Sequence, residues 1–129
     1  MKAIQMLRPE AGAIGFSTDQ PIPQPAPGEV RIKVLNTAIC GTDRHIYHWD
    51  DSISAMVSPP TIIGHEFCGH IEELGEGVDG WKIDEYVSAE MHIVCNECRA
   101  CLAGNQHICE KTIIAGLHRN GCFAEYVVV

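Results

Sequence analysis

Four cysteines in the segment CNECRACLAGNQHIC, at Cys95, Cys98, Cys101 and Cys109, constrain this chain more than any other feature. Two spacers of two residues and one of seven let a single knuckle of backbone aim four sulfurs at one point. Cages of four thiolates, with zinc–sulfur bonds near ~2.3 Å, are the usual structural zinc site, so the segment is expected to form a small lobe around zinc. Ferredoxin-type iron–sulfur runs also begin C-x-x-C-x-x-C, but there the fourth cysteine follows after three residues and precedes proline. Here Glu110 follows. Metal-free or disulfide-linked cysteines are the remaining alternative.

Seven cysteines is an odd number, which argues against a fully paired disulfide scaffold and for metal ligation in a reducing compartment. The 129 residues suit one domain, burying roughly two-thirds of the surface of the unfolded chain. With 17 acidic against 9 basic residues, a net charge of −8 repels phosphate backbones, so nucleic acid is not an expected partner. MKAIQMLRPE lacks the sustained apolar stretch of a signal or membrane-spanning segment, so the cytoplasm is the expected location, without a membrane partner.

Strand patterns dominate. Lys2 to Met6 and Glu29 to Asn36 alternate apolar and polar side chains with the two-residue period of half-buried strands. Prolines at 21, 23, 25 and 27 fix φ and remove backbone donors, so Pro21 to Gly28 should run extended and unpaired. Further strands are expected from Glu66 to Leu74, ending in a turn at Gly75 to Gly77, from Asp84 to Glu90 and from Cys122 to Val129. Helical turns fit only after Cys40 and within the cysteine knuckle.

A second constellation lies upstream. Cys40, His65 and Glu66 offer a sulfur, an imidazole nitrogen and a carboxylate, a set that zinc accepts, and catalytic zinc sites use three protein ligands. Taken singly, each has a plainer reading: a small buried thiol, a histidine satisfied by a carbonyl, a solvated strand-end glutamate.

In this order, ICGTDRHIY, PPTIIGHEFCGHIEELGEGV and the knuckle resemble the amino-terminal domain of zinc-dependent medium-chain alcohol dehydrogenases, over the whole of Met1 to Val129. Within that family, ICGTDRHIYHWD, SAEMHIVCNECRAC and AGLHRNGCFAEYVVV are similar to the branch that oxidises L-threonine. The resemblance implies a mainly β fold, a GroES-like, partly open β-barrel with short helices and a zinc-binding cysteine lobe. It implies catalytic zinc at Cys40, His65 and Glu66 and structural zinc at Cys95, Cys98, Cys101 and Cys109. Thr42 and His45 match the family's proton-relay positions. Implied too are a small-molecule alcohol substrate, L-threonine first and a polyol or other secondary alcohol second, and homo-oligomers of the full-length protein.

Such chemistry wants these residue types. Oxidising a secondary alcohol removes a hydroxyl proton and a hydride, and zinc lowers the pKa of bound water from about 15.7 to about 7. A hydroxyl such as Thr42 both accepts and donates, and His45 can hand the proton to solvent. The plainer readings are a helix cap for Thr42 and a solvated histidine for His45; His48 is expected at the surface. The resemblance sets Glu90 and His92 near the substrate pocket. His107 and His118 are expected to be structural or exposed, Cys68 and Cys122 small packing residues, and Trp49 and Trp81 packing residues.

Two departures from the family pattern stand out. Asp84 in KIDEYV replaces a glycine, so it is expected to carry a left-handed backbone at some cost. Cys68 and His70 stand where small or apolar side chains are usual, so His70 either disturbs a buried strand face or offers another ligand. A third is an absence: no G-x-G-x-x-G opens a helix after a strand, so NAD is expected to bind through a Rossmann domain outside these residues. The expectation is the first domain of a longer enzyme or a truncated copy, with a non-catalytic zinc module as the alternative. The apolar end FAEYVVV is expected to leave a sticky edge.

Overall fold

A computed structural model describes all residues, 1–129. Its strands are β1 (Ala3–Met6), β2 (Ile14–Ser17), β3 (Val30–Ala38), β4 (Thr61–Ile62), β5 (Glu66–Leu74), β6 (Tyr86–Val87), β7 (His92–Ile93), β8 (Ile113–Ile114) and β9 (Tyr126–Val128). Three short helices interrupt them, α1 (Gly41–His48), α2 (Asp51–Ser54) and α3 (Arg99–Leu102), with a 3₁₀ turn at Gln106–Ile108. One sheet has the order β2-β1-β4, a second β6-β5-β3-β9, and β7 pairs with β8 alone. The two larger sheets join through a bridge between Ala3 and Ala124 and through Gly121–Phe123, whose amides donate to the carbonyls of Ile62, Gly64 and Ile63. The result is a mainly β, partly open barrel.

β3 and β5 form its spine. Their antiparallel ladder runs from Val30 opposite Leu74 to Ala38 opposite Glu66, with breaks in register between Arg31 and Ile32 and between Val34 and Asn36. The first leaves Glu72 and the second Leu35 without a partner, which is the two-against-one count of a bulge. Phe67, Gly69 and Ile71 alternate inward on β5, and a side chain on Gly69 would strike the Lys33 carbonyl at 2.1 Å. Ile32, Phe67, Ile71, Cys122 and Val127 pack as one core cluster, and Met6, Ala13, Ile46, Ile53, Val57, Ile63 and Leu117 as the other. Phe123 touches both.

Several expectations need correction. Only Tyr86–Val87 of the Asp84 to Glu90 segment forms a strand, and only Tyr126–Val128 of Cys122 to Val129, beside the isolated bridge at Ala124. The residues preceding each pair have their backbone groups taken up by turns and by the contacts between sheets. β9 is the edge of its sheet, with Val127 and Val128 buried. β2 escaped the sequence pattern because Gly15 replaces an alternating side chain; a Cβ there would meet Leu7 at 2.5 Å. Cys122 is fully buried, whereas Cys68 sits half-buried outside both cores, 3.9 Å from the Asn36 amide. Trp49 packs on a core cluster, but Trp81 is 51% exposed.

The two departures flagged in sequence meet in space. Asp84 adopts φ +70°, and its carbonyl accepts a hydrogen bond from His70 Nδ1 at 2.7 Å. His70 therefore points off the core face of β5, where its ring lies 5.4 Å from that of Tyr86. It pins the left-handed turn and offers no ligand to either cysteine-bearing cluster.

Candidate metal centres

The register of the β3–β5 ladder builds the first site. Because Ala38 lies opposite Glu66, the residues just beyond that end of the ladder, Cys40 and His65, face one another although 25 positions separate them. Ligand atoms of Cys40, His65 and Glu66 all lie within 4.8 Å of one another. Gly64, before the histidine, has φ +87°, and a Cβ on it would overlap Phe123 at 2.2 Å. Its carbonyl lies where side chains on Gly116 and Gly121 would have to go, at 2.6 and 2.0 Å. Three glycines thus let three backbone segments close under His65.

His65 is 2% exposed, and neither ring nitrogen has a hydrogen-bond partner. Buried imidazole nitrogens left without partners are costly, so the ring is arranged for something a polar protein atom does not supply. Nδ1 faces Asp43 Oδ1 at 4.0 Å. Asp43 was missed by sequence reasoning. It occupies the third position of α1, where its Oδ2 accepts the Cys40 amide at 2.8 Å, and this helix-start acid after cysteine was the available signal. Burial pushes the Asp43 carboxyl above its ordinary range, against the pull of the Cys40 amide and the facing His65. Metal-bound histidines commonly give their second ring nitrogen to such a carboxylate.

Of the relay candidates, Thr42 Oγ1 is 3.7 Å from Cys40 Sγ, at the site. His45 lies one turn on, with 61% of its side chain exposed and Nδ1 2.5 Å from Asp50 Oδ2; no hydrogen bond joins it to Thr42. His48 is exposed, as expected. Glu90 and His92 form a pair at 2.6 Å on the rim of a separate cavity of about 460 Å³, shared with Val94, Gln106, His107 and Thr112. Nothing links them by hydrogen bond to Cys40, His65 or Glu66. His118 is exposed, and its Nδ1 accepts the Ile114 amide at 3.0 Å.

The second site is the knuckle. Sulfur separations are 3.5 Å for Cys98–Cys101, 3.6 Å for Cys95–Cys109, and 4.0 Å for both Cys95–Cys101 and Cys98–Cys109. Tetrahedral sulfurs with bonds of ~2.3 Å stand about 3.8 Å apart, so the cage already has the dimensions zinc requires. All four cysteines are free thiols. Asn96, at φ +56°, turns the backbone so that the Cys98 amide donates to Cys95 Sγ at 3.3 Å, while the Cys95 and Lys111 amides donate to Cys109 Sγ at 3.5 and 3.4 Å. The Cys95 amide leads in pulling the Cys109 thiol down to about 6, whereas burial pushes Cys101 up. Between Ala89 and Ile114 the only buried residues are Cys101 and Cys109, so the lobe has no apolar core of its own.

A mainly β partly open barrel, carrying a thiolate–imidazole–carboxylate cluster and a four-cysteine lobe, defines a class of β domain with two candidate metal centres. Residues 26–129 match the family described as "Alcohol dehydrogenase GroES-like domain", and the chain belongs to that family. Over all 129 residues it is 49% identical to the L-threonine 3-dehydrogenase of Pyrococcus furiosus, of which it covers 36%. Among solved structures, an Escherichia coli alcohol dehydrogenase complexed with NADH superimposes with TM-score 0.85 at 36% identity, covering all of this chain and 36% of that one. A cobalt- and zinc-bound thermostable alcohol dehydrogenase from Pyrobaculum aerophilum gives 0.86 at 32%, covering all of this chain and 39% of that one. The chain thus spans little more than a third of the length of these relatives. No helix is long and apolar enough to cross a membrane.

Proposed function

We propose that residues 1–129 are the catalytic domain of a zinc-dependent, NAD-linked dehydrogenase that oxidises L-threonine to 2-amino-3-oxobutanoate. The observation that carries this reading is the sealed His65 ring, both nitrogens unpartnered, converging with Cys40 and Glu66. Cys40, His65 and Glu66 would hold the catalytic zinc, and Cys95, Cys98, Cys101 and Cys109 the structural one. Bound zinc supplies a Lewis acid that makes a hydroxyl proton easier to lose. The protein does the rest. Asp43, whose Oδ1 faces His65 Nδ1 across 4.0 Å, would orient the ring, and Thr42, beside Cys40, would accept the substrate's hydroxyl proton while donating its own. His45, exposed on the same helix and not hydrogen-bonded to Thr42, would deliver to water a proton that reaches it through a bridging hydroxyl or water. NAD would bind through a Rossmann domain outside these residues and would supply the hydride acceptor. The identity to the Pyrococcus enzyme favours L-threonine over a polyol.

Metal analysis and turnover test this together. Two zinc ions per chain are expected, falling to one in Cys40→Ser, and NAD reduction by the full-length enzyme should be faster with L-threonine than with sorbitol or butanediol. A single ion lost only on mutating the knuckle would overturn the catalytic site. Good turnover of a polyol without turnover of threonine would overturn the substrate.

A further inference from the structure

We infer that Asp50 is a positioning residue that fixes the tautomer of His45, leaving Nε2 as the proton-accepting atom; the inference rests on the relay reading above. Two independent observations point to it. The first is backbone strain. Helix α1 ends on Trp49 at φ +54°, ψ +49°, a left-handed conformation that a bulky aromatic residue rarely adopts. It persists because the Trp49 side chain packs against the Met6, Ile46 and Ile53 cluster, which over-determines the turn. That turn reverses the chain, so the Asp50 amide reaches the His45 carbonyl at 3.3 Å and its carboxylate reaches Nδ1 at 2.5 Å.

The second is what Asp50 does not do. It is the N-cap of α2, a position where an aspartate side chain ordinarily accepts a helix amide, yet it makes no such bond. Its carboxylate faces His45 instead. A carboxylate is acceptor-only when ionised, so Nδ1 carries the hydrogen, and in the neutral ring Nε2 keeps its lone pair. With 61% of the His45 side chain exposed, the ring is accessible to water. An ordinary surface ion pair on a short helix would need neither the strained tryptophan nor the sacrificed cap.

The test is long-range ¹H–¹⁵N correlation of the histidine rings in the zinc-loaded chain at roughly pH 8, above the ordinary imidazole range. His48, on the same helix and without a carboxylate partner, is the internal control. In the native chain His45 should be chiefly in the Nδ1–H form. In Asp50→Ala and Asp50→Ser it should fall to the distribution His48 shows. Serine keeps a cap-competent residue at the start of α2, so a change shared by both variants is not an effect of lost helix structure. An identical His45 tautomer in native and both variants would overturn the inference. Failure of the dehydrogenase reading would appear separately, as absent turnover, and leaves this spectrum unaffected.

Discussion

Removing zinc from the knuckle should unfold residues 94–112 while the barrel stays folded. Ordering these nineteen residues costs about 19 kcal/mol at ~1 kcal/mol each for the backbone. Seven backbone amides, from Leu102 to Thr112, donate local hydrogen bonds, the Ala103 amide shared between two carbonyls, and return about 7 kcal/mol at ~1 each. Burial adds little, because Cys101 and Cys109 are the only buried residues of the segment. The shortfall, about 12 kcal/mol, falls within the ~10–16 kcal/mol that structural zinc supplies to zinc-finger peptides. No other interaction in the lobe approaches that size: the Lys111–Glu97 pair is exposed on both sides. Neither barrel cluster contains a residue from 94–112, so its strands should survive the loss. Hydrogen exchange before and after chelation checks this. Amides of Leu102, Ala103 and Gly104 should lose protection by several orders of magnitude, with those of Ile32 and Ile71 unchanged. Persistent protection of the lobe amides in chain shown to contain no metal would refute the reasoning.

Two further outcomes follow from the packing and the ion pairs. Gly64→Ala should cost about 2–4 kcal/mol, combining a left-handed alanine with overpacking against Phe123, and lower Tm by roughly 10 °C for a domain of this size; an unchanged Tm would show that the glycine junction relaxes. Burial raises the Glu29 carboxyl, but the Arg119 guanidinium at 2.8 Å and the Ala26 amide hold it below its ordinary range on balance. A depressed carboxylate stabilises above its unfolded pKa and loses that contribution as pH falls through the folded one. The half-buried pair should therefore contribute about 1 kcal/mol at pH 7, so Glu29→Gln destabilises there and converges with the native chain near roughly pH 3 in urea titrations.

How much of this could be read beforehand depended on whether the cause was local. The knuckle was fully legible because its geometry is contained in fifteen consecutive residues with short spacers. β3 and β5 were legible within two residues because each carries a run of period-two alternation, Val30, Ile32 and Val34 on β3 and Phe67, Gly69 and Ile71 on β5. β4, β7 and β8 are two residues long, set by the partner strand and not by any period of their own. Asp43 was overlooked because its role depends on His65, which is remote in sequence. Asp84 and His70 were each flagged as anomalies, but only the fold reveals that one holds the other in place.

The convergence of Cys40 and His65 follows from a register and not from any property of either residue. Strand registers are integers, so the bulge at Leu35, by offsetting the one at Glu72, decides which residues stand opposite one another at the far end of the ladder. Without the extra residue, β3 would end one position earlier against β5 and present its opposite face. Cys40 would then be displaced along β5 by about 3.3 Å, which is comparable to the whole spread of the ligand atoms. Leu35 is 50% exposed and contributes little to either core, so its side chain is not what selects it. What the position supplies is a count: one extra residue on β3 that carries a thiolate to an imidazole and a carboxylate on the neighbouring strand.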